Sequence, residues 1–204
     1  MKKEIFVYIL ASLLFTACNN QKENSEKLPE DSLTKETVTS SADDSVMVRS
    51  IVVDFYNWYN ANDEKLMAFK LYSGIKKEGM PPYKINWDEV KKYQDFIRAS
   101  VPYLGEGFLN NQTVFFKQCD SAFKVDINDE MPYGFDYDWY TNSQEDPQYL
   151  IDEMNKKENK WEIIVNGNEA SVIVYTPQNL DYGIVNVFLE KENDKWVIVK
   201  IGIE

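Results

Sequence analysis

The sequence predicts an α+β domain over residues 46–204, with N-terminal helices packed on a C-terminal curved antiparallel sheet. Three observations predict it. Apolar residues in the first half recur at three- and four-residue steps, the period of a helix face. From Lys160 onward they alternate, the period of a strand. Asn166-Gly167 then sits between two alternating runs, where a type I′ hairpin turn calls for positive φ at both central positions. Helices first and an antiparallel sheet after them define the class, and about 160 residues suit one domain.

The first element is "DDSVMVRSIVVDFYNWYNAND". Asp43, Asp44 and Ser45 form a capping cluster, and Val48, Ile51, Val52, Phe55, Trp58 and Tyr59 share one face. The helix should end near Asn62. The following stretch, to Asn86, has a weak pattern, and Pro81-Pro82 imposes an extended turn. "NWDEVKKYQDFIRASVPYL" returns to helix, with Asn86 placed to cap it and Val90, Tyr93 and Ile97 on one face. A third helical run passes through Phe108, Phe115 and Cys119 to about Phe123, its start softened by Gly105 and Gly107. The segments "KWEIIVN", "EASVIVYT", "GIVNVFLE" and "KWVIVKIGI" read as antiparallel strands in a meander. Ile164, Ile173, Tyr175, Phe188 and Val197 make the second face apolar as well. Such a sheet is expected to be covered on both sides or to line a concave pocket.

Ahead of the domain lies a targeting signal. Lys2 and Lys3 precede an apolar run over residues 5–15, and Thr16-Ala17 precede Cys18. The run is shorter than the roughly 20 residues that cross a bilayer. Small residues directly before a cysteine resemble the lipobox of bacterial lipoproteins. That resemblance implies cleavage after residue 17 and lipid attachment at Cys18. A plain secretory signal is the alternative. Residues 18–45 then form a lipidated cysteine and a polar tether too poor in apolar residues to offset its ordering entropy. Asn19 stands where an inner-membrane retention signal would carry Asp. The expected location is therefore the bacterial cell envelope, lipid-anchored, at the outer membrane facing the periplasm or at the cell surface.

Composition narrows the chemistry. The formal charge is −12, and removal of residues 1–17 takes away Lys2, Lys3 and Glu4, leaving −13. That balance argues against nucleic acid as a partner. Histidine is absent from all 204 residues, which removes imidazole bases, Ser-His-Asp triads and the usual zinc sites. No metal or cofactor is expected. With Cys18 lipidated, Cys119 has no partner for an intramolecular disulfide, and its helical register makes it a buried core residue.

Three stretches carry a family resemblance: "VRSIVVDFYNWY", the "SQEDP" stretch with its upstream aspartates, and "VNVFLEKENDKWVIVKI". Together they resemble an uncharacterised family of bacterial envelope domains, domain of unknown function 3828, and the closing strands resemble NTF2-like (cystatin-like) domains. The first family implies no activity. NTF2-like domains imply a cone-shaped pocket between helices and sheet.

The candidate site is "PYGFDYDWYTNSQEDP", residues 132–147, where aromatics and carboxylates interleave without helix or strand period. Asp136-x-Asp138 starts like a calcium loop. Tyr140 stands at a ligand position and Thr141 at the turn glycine, however, so no metal is assigned. Paired carboxylates flanked by aromatic rings also suit glycoside cleavage. A connection whose rings cap the core is the structural alternative. The residues put forward for ligand binding are Asp136, Asp138, Trp139 and Tyr140, with Trp58 and Tyr175; none is assigned a catalytic role. The leading expectation is a lipid-anchored domain that binds a protein or small ligand. The alternatives are a small pocket enzyme using carboxylate and tyrosine, and a periplasmic immunity or inhibitor protein.

Overall fold

Helix α1, Ala42–Asn60, is the spine of the fold. The computed structural model describes residues 42–202 apart from Pro102, Asp126, Asp129 and Ser143. The signal, Cys18 and nearly all of the tether lie outside these residues. Residues 42–45, assigned to the tether from sequence, are instead the first turn of α1. Asp44 explains the difference: its carboxylate accepts from Trp196 Nε1 at 2.8 Å and pairs with Lys191 at 3.1 Å, tying the helix start to the far end of the chain. Val48, Ile51, Val52, Phe55, Tyr56 and Tyr59 are all buried on one face. Each fully buried aliphatic or Phe side chain contributes about 1.5–3 kcal/mol of transfer free energy.

A one-turn helix α2, Asp63–Met67, leads into a short hairpin of β1, Tyr72–Gly74, and β2, Tyr83–Ile85. Helix α3, Trp87–Ser100, follows. Asn86 precedes it but makes no side-chain cap. Its amide donates to Lys70 O at 2.7 Å and its Oδ1 accepts from Ser73 Oγ at 3.1 Å, so the side chain fastens the hairpin instead. Helix α4, Glu106–Val125, begins with glycines for a packing reason. A Cβ at Gly107 would stand 3.0 Å from Val199, and Gly105 N donates to Ile198 O at 2.9 Å. The helix start is thereby laid directly on the last strand. Helix α5, Pro147–Asn155, was not foreseen. Asp146 caps it, accepting from Gln148 N at 2.7 Å, and Pro147 fills the first turn, where no N–H is needed.

The meander holds four strands: β3, Lys160–Asn166; β4, Glu169–Tyr175; β5, Val185–Glu192; β6, Lys195–Ile201. They pair in sequence order, all antiparallel, as an open sheet. The β3–β4 turn differs from the expected Asn-Gly type I′. Asn166 pairs with Glu169, so Gly167 and Asn168 form the turn, and only Gly167 (φ 62°) has positive φ. That is the type II′ pattern, with glycine first. Both turn residues between β5 and β6, Asn193 (φ 51°) and Asp194 (φ 61°), are positive, so the type I′ pattern lies there.

Val172 faces Val187 and Val174 faces Val185 across the strands, and Ile198 faces Leu189. All six are buried and belong to the core between sheet and helices. The other side is less covered than its pattern suggested. Ile164 is exposed, and Ile173, Tyr175 and Phe188 are half-buried. Lysine side chains lie over two of the rings, Lys160 over Tyr175 and Lys200 over Phe188. Apolar lysine stems shield such surface while their charges stay in water.

Candidate ligand-binding clefts

The segment 132–147 is folded by its own rings. Gly134 (φ 78°) sits where a Cβ would approach Phe115 Cζ to 2.6 Å and Cys119 Sγ to 2.8 Å. Only glycine fits that contact and that left-handed backbone. Trp139 Nε1 donates back to Gly134 O at 2.7 Å, closing the loop on itself. The Trp139 and Phe135 ring centres stand 5.3 Å apart, and both rings pack on Phe116. Tyr140 goes deepest. It is buried, its hydroxyl meets Tyr93 OH at 2.5 Å, and Gln112 Nε2 donates to Tyr93 at 2.9 Å. Tyr56 OH donates to the Tyr140 carbonyl at 2.9 Å. Below this layer Cys119 is fully buried and its thiol is pushed up to about 12 by burial, leaving it without thiolate character.

Phe135, Trp139 and Tyr140 turn inward, whereas Tyr133 and Tyr137 are exposed together with the carboxylates of Asp136, Glu145 and Asp146. Asp138 is half-buried between the two groups. Its Oδ1 accepts from Tyr140 N at 2.7 Å and from Thr141 N at 3.4 Å, an Asx turn that sets the local backbone. Its Oδ2 accepts a short hydrogen bond from Tyr59 OH, which comes from the end of α1. Burial raises the Asp138 pKa above the ordinary carboxylate value; these hydrogen bonds oppose the rise, and nearby Asp63 adds to it. Burial and the carboxylate together push the Tyr59 pKa far upward, so Tyr59 holds its proton and donates it.

Asp138 opens onto a cleft of about 800 Å³ between α1, α2, the β1–β2 hairpin and this segment. Tyr59, Phe69, Tyr72, Tyr93 and Phe135 supply aromatic walls. Asp63, Glu78, Asp136, Glu145 and Asp146 add carboxylates around Asp138. The cation in the lining, Lys70, is paired with Glu78 at 2.7 Å. The cleft is therefore strongly negative with π-rich walls. Among the described residues no group of three or more acidic or cysteine side chains is arranged to hold a metal ion.

The opposite side of the same segment borders a second cleft of about 810 Å³. It lies between α5, Thr141 and Asn142, and the connection from β4 to β5. Here Glu153 is buried, and its pKa is lowered by hydrogen bonds from Lys156 and Asn159.

Of the residues put forward from sequence, Asp136, Asp138, Trp139 and Tyr140 come together on the first cleft. Trp58 does not join them: it packs between Phe55 and Phe96. Tyr175 lies on the far side of the sheet under Lys160. The sequence reading missed Tyr59 as the partner of Asp138. Its position on the buried stripe of α1 is the same signal a core residue gives, and 79 residues separate the pair. It also missed Phe69, Tyr72 and Glu78, which lie in the weakly patterned stretch. No family model matches the chain, no curated protein matches it, and no solved structure matches it.

Proposed function

We propose that this is a lipid-anchored protein of the bacterial envelope whose folded domain binds an organic cation in the acidic-aromatic cleft. The observation that carries the reading is Asp138, half-buried, held by Tyr59 and two backbone amides, and surrounded by aromatic walls and further carboxylates. A desolvated carboxylate gains most from a cation that neutralises it. Aromatic faces add attraction of about 0.5–2 kcal/mol for an ammonium or guanidinium group. A free polyamine and a lysine or arginine side chain of a protein partner present the same chemistry, so both a small ligand and a basic protein fit the site. The anchoring rests on the lipobox-like run ending at Cys18 and on the polar tether.

The test is to titrate isotope-labelled full-length chain with spermidine and, separately, with a lysine-rich peptide. Resonance shifts centred on Tyr59, Tyr72 and residues 135–140 support the reading. Shifts scattered over the acidic surface, or none, contradict it. The raised Asp138 pKa favours a second reading, acid–base chemistry by carboxylate and tyrosine. Against it, both Asp138 oxygens are already engaged by donors. Chemical conversion of a bound amine by wild type and not by Asp138→Asn would favour the enzyme.

A further inference from the structure

The second cleft differs in chemistry from the first, and the geometry points to a separate site for a neutral oligosaccharide. Its lining is rich in carboxamides: Asn142, Asn159, Gln178, Asn179 and Asn186 all face it. An amide offers two donors and an acceptor within one small group, the complement of a sugar's hydroxyls, each of which donates and accepts. Thr141 and Thr176 add hydroxyl-bearing side chains. Two exposed rings, Tyr149 and Tyr182, belong to the lining and offer flat apolar faces for the C–H side of a pyranose. The volume falls within the range of about 300–1,000 Å³ typical of small-ligand pockets.

One lining carboxylate is neutralised inside the protein: Glu153 is paired with Lys156 at 2.5 Å and accepts from Asn159 Nδ2 at 2.8 Å. Glu145 and Glu158, also in the lining, disfavour an anion, and the five carboxamides favour a ligand that offers hydroxyls. Asn159 belongs to the same lining, is only 8% exposed and spends its Nδ2 on Glu153, and among the described residues its buried Oδ1 has no hydrogen-bond partner. Such an acceptor is uncommon in folded proteins. Part of the remaining amide set is already oriented. Asn186 donates to Tyr182 O at 2.9 Å, and Asn179 donates to Gly183 O at 3.3 Å, which leaves the acceptor of Asn186 and the whole of Gln178 for ligand hydroxyls.

The two clefts share Glu145 at their border, but the amides and exposed rings of this one do not line the cation cleft, so the two sites stand or fall separately. The test is calorimetric titration of full-length protein, in detergent, with chitotetraose, cellotetraose, xylotetraose and mannotetraose. The acetamido sugar represents cell-wall glycans and the other three represent imported polysaccharides, so the arms separate the two sources. At least one sugar should bind, and Gln178→Ala and Tyr182→Ala should each weaken it about tenfold. Both residues are exposed, so neither change threatens folding. Asp136→Asn, in the opposite cleft, should leave sugar binding unchanged. No binding by any of the four at ~10 mM, or binding unaffected by the Gln178 and Tyr182 changes, overturns the inference.

Discussion

Replacing Tyr59 with Phe removes one hydroxyl and leaves the ring, so it isolates the hydrogen bond to Asp138 Oδ2. A hydrogen bond to a charged group contributes about 1.5–3 kcal/mol. Asp138 is only half-buried at the edge of a cleft, so solvent screening reduces that to about 1–2 kcal/mol. Losing a bond made to the charged carboxylate should raise the Asp138 pKa further above its already raised value. The sign for stability follows from linkage. A carboxyl whose folded pKa lies above its unfolded value binds its proton more readily in the folded state. Its favourable contribution is full below the unfolded value near ~3.9 and is lost as pH rises through the raised folded value. Tyr59→Phe widens that window, so the variant should lose more stability relative to wild type at pH ~7 than at pH ~4. The assay is a carbon-detected titration of labelled aspartate carboxyls in both proteins, with thermal melts at the two pH values. An Asp138 pKa that is unchanged or lower in Tyr59→Phe refutes the reasoning.

Gly134→Ala should destabilise the domain by about 2–5 kcal/mol, combining about 1–2 kcal/mol for a left-handed non-glycine residue with about 1–3 kcal/mol for overpacking against Phe115 and Cys119. Denaturant midpoints measure it, and a loss under about 0.5 kcal/mol would mean that the segment is not pinned at this point. Cys18→Ser should move the protein from the membrane to the soluble fraction, because two or more acyl chains anchor at about 0.8 kcal/mol per buried methylene and this change removes their attachment atom. Fractionation unchanged by the substitution contradicts lipid anchoring at Cys18.

The parts of the fold that follow a strong period were legible in the sequence. The α1 stripe from Val48 to Tyr59, the α3 face of Val90, Tyr93 and Ile97, and the alternation of β3 to β6 all appear where the pattern placed them. What the period could not supply was decided by long-range contacts. The β1–β2 hairpin has strands of three residues, too short to show alternation, and it is held by Asn86, which sequence proximity had assigned to a helix cap. Helix α5 did leave a local signal, the Asp146-Pro147 start, but it was absorbed into the irregular stretch before it. The candidate site was half legible. Interleaved rings and carboxylates mark 132–147 as unusual, yet which ring turns inward depends on Gly134, Phe116 and Tyr93. The donor to Asp138 comes from a helix 79 residues away.

The central claim is that Asp138 and the rings around it form a cation site, and the affinity of spermidine for wild type against Asp138→Asn tests it most directly. Asn keeps the size of the side chain and can still accept from Tyr140 N, so the change removes charge without removing the turn. Tryptophan fluorescence should report binding, because Trp139 lines the cleft. The account predicts that Asp138→Asn weakens spermidine binding by about tenfold or more at ~0.1 M salt, where charges beyond about 10 Å are screened and only the local carboxylates still act. Equal affinity of the two proteins at that salt concentration would contradict it.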